Sequence, residues 1–87
     1  MYAVVIKATI TDRDALPTEL SDLVPIVSDA PGFVAGYWIL VGQNQGTSIL
    51  VFDTEDRASI QALATQVAGS EAAMIDSVEV GEVWAQA

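Results

Sequence analysis

The 87-residue sequence has no cysteine and no histidine, and only 3 Lys and Arg residues stand against 12 Asp and Glu. Without cysteine there is no disulfide, no thiolate nucleophile, and neither an iron–sulfur nor a zinc–cysteine site. Without histidine the chain lacks an imidazole base, a protein-derived haem ligand and the commonest metal ligand. No nucleophile–histidine–acid set can be assembled from what remains. A formal charge of −9 repels phosphate backbones and argues against nucleic acid as a partner. A long hydrophobic run is missing too. Lys7 interrupts the apolar opening MYAVVIKATI, and no basic residue precedes it. A secretory signal needs a positive start, and a spanning helix needs about 20 apolar residues. The expectation is a cytoplasmic protein with no membrane partner.

What is present is apolar. The hydrophobic fraction is 52%, high for a small acidic chain, and it argues against disorder. The length supports one domain over residues 1–87. A chain of this size buries roughly 60–65% of its unfolded surface, so its own core is modest.

Tyr2 to Ile10 is rich in β-branched residues, with no Gly or Pro, and reads as a strand. Thr11-Asp12-Arg13-Asp14 is a turn in which Asp14 can cap the following helix. Leu16, Leu20, Leu23, Val24 and Val27 fall on one helical stripe. Pro17 suits the first turn of that helix, whereas Pro25 predicts a kink or a tightened last turn, with the helix over by Asp29. Phe33 to Val41 reads as a second strand, Gly42 to Gly46 as a turn and Thr47 to Asp53 as a third strand, together an antiparallel hairpin. Asp53 or Thr54 caps a second helix with Glu55 and Asp56 in its first turn. The core stripe of that helix is expected to be Ile60, Leu63, Ala64, Val67 and Ala68, and Gly69 ends it. Ser70 to Ser77 reads as a connection with a helical turn around Ala72–Met74, and Val78 to Ala85 as the last strand. The fold class is α+β. The order βαββαβ predicts a ferredoxin-like arrangement, a four-stranded antiparallel sheet with both helices on one face.

Two helices cover one face of such a sheet, and the other should alternate to polar residues. It does not. In one consistent register the face carrying Lys7 also carries Ala3, Val5, Leu50 and Phe52, joined by Trp38 and Leu40 if residue 40 pairs with 48. Left bare, that set exceeds what monomers tolerate, so a homodimer stacked sheet to sheet is expected. A slip of one residue would instead move Trp38 to the helix side.

Three pieces of sequence carry a resemblance. They are the first strand Tyr2–Ile10, the Pro31-Gly32-Phe33 approach to the second strand, and Ser48-Ile49-Leu50-Val51-Phe52-Asp53 running straight into Thr54-Glu55-Asp56-Arg57-Ala58. In combination, over nearly the whole chain, they resemble the antibiotic-biosynthesis-monooxygenase-like superfamily, the dimeric α/β barrels. The resemblance implies a small-molecule pocket between helices and sheet, and in some relatives cofactor-independent oxygenation of aromatic polyketides. Haem-degrading relatives carry an Asn late in the first strand, a Trp at the end of the third and a His for iron. Here those places look like Lys7 and Phe52, and there is no His, which argues against haem degradation. Cofactor-free oxygenases of the family use Asn, Trp, Tyr and Arg, but no Asn or Arg lies in a predicted strand here.

The candidate substrate-binding residues are therefore Lys7, Trp38, Phe52, Tyr37 and Trp84, with no metal ligand and no cofactor expected. Lys7, the only lysine, is a base or anion site if buried; otherwise it pairs with Glu79 or Glu82, or reaches solvent along its stem. Trp38 and Phe52 stack on a flat ligand or serve as core and interface residues. Tyr37, like Tyr2, offers a hydroxyl to a substrate carbonyl or to water. Trp84 is placed to pack across a dimer interface. Glu79 and Glu82, three apart on a strand, face opposite ways and form no carboxylate pair. Asp12, Arg13 and Asp14 look like a solvated turn, and Gly42 to Gly46 lacks the pattern of a phosphate loop. Three functions fit: a cofactor-independent monooxygenase-like enzyme, a non-catalytic ligand-binding or accessory dimer, and a module whose sheet face meets another protein.

Overall fold

Four strands and two helices alternate as β1 (Tyr2–Ile10), α1 (Leu16–Ser28), β2 (Phe33–Val41), β3 (Gln45–Phe52), α2 (Glu55–Ala68) and β4 (Ala73–Glu82) in the computed structural model, which describes residues 1–87. The sheet runs β2-β3-β1-β4, antiparallel throughout, with β1 and β3 central. Val27 of α1 and Ala58 of α2 meet Val4, Ile6, Leu50 and Phe52 in one core cluster, so both helices cover the same face. This is the expected ferredoxin-like βαββαβ arrangement. No helix is long and apolar enough to cross a membrane.

Local chemistry explains the element ends. Thr54 caps α2 by accepting the Arg57 backbone N–H at 3.3 Å, and Gly69 ends the helix at φ +63°. α1 begins otherwise than expected. Asp12, not Asp14, accepts the Ala15 N–H at 3.1 Å, and Ala15 at the helix start offers no side-chain cap. The helix runs through Pro25 to Ser28, where the Ser28 hydroxyl donates to the Pro25 carbonyl at 3.0 Å. Gly32 has φ +82°, and a Cβ there would run into Asp53 and Arg57, so the approach to β2 requires glycine.

Three expectations are corrected. First, β4 begins at Ala73 and ends at Glu82, where a later strand was expected. Asp76 is an extra residue in a bulge opposite Lys7 and Ala8, and its carboxylate accepts the Thr9 hydroxyl at 2.8 Å. The bulge lets an apparent breaker sit inside a strand. Second, β1 pairs with β3 one residue out of the expected phase. Val4 faces Leu50 and Tyr2 faces Phe52, so Leu50 and Phe52 lie under the helices, not beside Lys7. β2 follows, with Trp38 opposite Ser48 and Leu40 opposite Gly46, so Trp38 and Leu40 also turn to the helix side. Third, the large members of the expected α2 stripe face away from the sheet: Ile60, Leu63 and Val67 are 68%, 62% and 79% exposed, while its alanines, Ala64 and Ala68, turn toward the space between the helices and the sheet. Ala58 and Ala62 pack inward in their place because small side chains let the helix axis approach the strands closely.

The outer face of the sheet is still apolar, with a different membership. Ala3 and Val5 of β1, Ile49 and Val51 of β3, and Ala35, Tyr37, Ile39 and Val41 of β2 share it with Lys7.

Candidate functional site

α1 lies closest to β2 and reaches the central strands through Val27, and the two helices do not pack tightly on one another. Between them and the sheet lies a cavity of about 390 Å³, within the usual range of about 300–1,000 Å³ for small-molecule sites. β1 supplies its floor through Ile6, Ala8 and Ile10, and Leu50 of β3 continues it. Leu20 and Leu23 of α1 form one wall, Ala64 and Ala68 of α2 the other. The small residues of α2 leave the space open, since a larger pair would close it.

Trp38 is the aromatic wall. A Cβ at Gly36 would lie 3.0 Å from its ring and 3.1 Å from Phe33, so both the indole and the phenyl ring pack over the glycine. Phe33 in turn meets Phe52 edge to face, with ring centres 5.8 Å apart and planes at 83°. Trp38 thus stands half-buried beside the cavity, over Gly36.

The polar groups are few. The Ser70 hydroxyl lies 2.7 and 3.0 Å from the two oxygens of the Glu19 carboxylate, and the Ala72 N–H donates to Ser70 Oγ at 3.2 Å. Gln61 donates to Thr65 Oγ1 at 3.3 Å, and that hydroxyl donates to the Gln61 carbonyl at 3.0 Å, one turn back along α2. No three carboxylates converge as metal ligands would.

Of the five residues singled out from sequence, only Trp38 lines this cavity. Phe52 is 1% exposed in the core behind Phe33. Lys7 is exposed on the outer face, opposite Thr47 and Ser77, and neither Glu79 nor Glu82 forms an ion pair with it. The register places it there, since odd-numbered residues of β1 point away from the helices. Tyr37 is exposed on the outer face of the edge strand β2, and Trp84, beyond the end of β4, is 92% exposed. Sequence reasoning missed Glu19, Gln61, Thr65 and Ser70. The Gln61–Thr65 spacing marks one helix face, but nothing in sequence links Glu19 to a serine 51 residues away.

Tyr2 sits on the helix side of the sheet, opposite Phe52 in β3 and Glu82 in β4. The Glu82 carboxylate, with Glu55 next in effect, raises its hydroxyl above the ordinary tyrosine value. Repulsion between the phenolate and these carboxylates is the cause.

No protein-family model matches the chain, and no curated protein matches it in sequence. Solved structures do match. MupZ from Pseudomonas fluorescens aligns over 91% of this chain at 18% identity and TM-score 0.73. The match spans 65% of the MupZ chain, so MupZ is about half as long again as the matched part. A mutant of SnoaB, a cofactor-independent oxygenase from Streptomyces nogalater, aligns over 98% of this chain and 94% of its own, at 13% identity and TM-score 0.72. MhuD, solved as a mutant with two manganese protoporphyrin IX molecules per active site, aligns over 98% and 97% at 17% identity and TM-score 0.63. The chain shares the ferredoxin-like fold of these solved structures. At these identities the likeness is one of fold.

Proposed function

We propose that the protein is a homodimer that binds a small aromatic or apolar molecule between its helices and its sheet. The cavity walled by Trp38 carries this reading: it is apolar, about 390 Å³ in volume, and open between two loosely packed helices. A fold alone selects no chemistry. The residues around this cavity favour binding over catalysis, because Glu19 is the one charged side chain among them. The second reading, a cofactor-independent oxygenase, draws on the likeness to SnoaB. Its chemistry would come from holding an electron-rich substrate in a dry apolar site, without an acid–base pair.

Assembly rests on the outer face. Only 10 of 87 residues are buried in the single chain, a small core for a stable domain. Meanwhile Ile39, Ile49, Val41 and Val51 lie bare or half-bare in one sheet face. A second copy stacked on it covers that patch.

Native mass spectrometry of freshly purified protein, followed by denaturing release of any small molecule, tests both parts. The expected species is a dimer with an adduct that Trp38→Ala loses and Lys7→Gln keeps. A monomer at tens of micromolar overturns the assembly. An adduct lost on Lys7→Gln and kept on Trp38→Ala moves the site to the outer face. Oxygen uptake with the released compound would favour the oxygenase reading.

A further inference from the structure

The cavity has a charged end and an uncharged one. Glu19 projects from the first turn of α1 beside Ser70, and Ala68 and Gly69 at the end of α2 line the same end. Ser70 Oγ accepts the Ala72 N–H, which leaves its own proton for the carboxylate. One hydroxyl proton serves both oxygens of Glu19, and neither has an N–H or cationic partner in the chain. A carboxylate accepts about four hydrogen bonds, so most of its capacity is left to water or to a ligand. The C-terminal end of α2, whose last turn carries no basic residue, adds a partial negative charge that the N-terminal end of α1 beneath Glu19 roughly offsets, so the full charge of the carboxylate sets the sign of this end. Glu71 lines the recess that shares Gly69 and Ser70 with this end.

All three cationic side chains lie elsewhere. Lys7 is on the outer face, Arg13 donates to the Gln43 carbonyl at 3.0 Å, and Arg57 lies 4.0 Å from Asp53. None of them lines the cavity.

Resting on the reading of this cavity as a binding site, we infer that its ligand is a cationic amphiphile: an amine whose ammonium meets the Glu19 carboxylate and whose apolar body lies along Leu23 and Trp38. Carboxylates and phosphates are disfavoured, since they would meet a negative end with no compensating cation and would leave water to do so. Neutral molecules of the same body bind through the apolar walls alone.

Three probes with one ring system separate these cases by isothermal titration calorimetry on the intact protein: naphthylethylamine, naphthylacetate and ethylnaphthalene. The amine should bind more tightly than the neutral compound by roughly ten-fold, the order that one charge-assisted hydrogen bond contributes, and the acid more weakly than either. Glu19→Gln keeps an acceptor for Ser70 and should erase the advantage of the amine while leaving the neutral compound unchanged. Circular dichroism checks that the variant is folded. Equal binding of amine and acid, or an amine preference that survives Glu19→Gln, overturns the charge assignment and leaves the cavity standing. Absence of binding by all three overturns the cavity reading, and the proposal with it.

Discussion

Leu50 and Ile49 are neighbours in β3 that point to opposite faces, and truncating each to alanine separates the two kinds of apolar surface in this molecule. Leu50 is 2% exposed and belongs to the core cluster with Val4, Ile6, Val27, Phe52 and Ala58. Leu50→Ala removes roughly three carbon groups, about 2.4 kcal/mol of transfer free energy at about 0.8 per group. The void it leaves adds a further term, up to a total of about 5 kcal/mol at closed sites. Here the vacated space joins the existing cavity, which opens between the helices, so the added term is small and about 3 kcal/mol is expected. A domain of 87 residues has roughly 4–13 kcal/mol in all. The melting temperature should therefore fall by roughly 12–24 °C, at about 4–8 °C per kcal/mol for this size.

Ile49 lies half-buried on the outer face, opposite Val5 and Tyr37. If a second copy covers that face, the cost of Ile49→Ala depends on protein concentration, because association stabilises the native state by mass action. Thermal melts followed by far-ultraviolet circular dichroism at 2 and 200 μM, concentrations chosen to span about two decades, provide the assay. Leu50→Ala should destabilise at both concentrations, whereas Ile49→Ala should weaken the concentration dependence itself. Equal, concentration-independent losses from the two variants would refute both the register and the assembly argued from it.

Gly32→Ala should cost about 2 kcal/mol, because its φ of +82° disfavours a side chain and the added methyl meets Asp53 and Arg57. Urea denaturation measures it, and a stability within 0.5 kcal/mol of wild type, roughly the size of a neutral surface change, would contradict the turn geometry. Tyr2 carries a raised pKa, from Glu82 first and Glu55 second. Its contribution to stability is thus fully present below the unfolded tyrosine value of about 10 and is lost as pH rises through the higher folded value. In a Tyr37→Phe background, Glu82→Gln should move the phenol absorbance titration to lower pH. An unchanged titration would remove Glu82 as the cause.

The amino-acid sequence determined the order of elements and most of their ends, because those depend on neighbours along the chain. Thr54 and Gly69 cap and stop α2 through bonds only three and four residues long, and the short link after Val41 requires a hairpin. It also determined the chemical poverty of the molecule, since a chain without His or Cys can bring neither to any site. The two-sided apolar character of the sheet was equally visible, but its membership was not. A shift of one residue between β1 and β3 exchanges the faces of every side chain, and both phases present apolar residues to the helices. Only packing distinguishes them: in the observed register Leu50 and Phe52 fill the core.

The rotation of α2 was likewise decided in three dimensions. Ile60, Leu63 and Val67 form the more hydrophobic stripe, yet the two-residue link from β3 through Asp53 and Thr54 turns Ala58 and Ala62 toward the strands. That choice keeps large side chains of α2 out of the space beside Trp38, and the cavity follows from it. The Glu19–Ser70 contact joins the start of one helix to the segment beyond the other, because both ends meet over the β1–β4 side of the sheet. Periodicity reports which residues share a face of one element. Which faces meet, and what they leave open between them, is set by the close approach of elements distant in the chain.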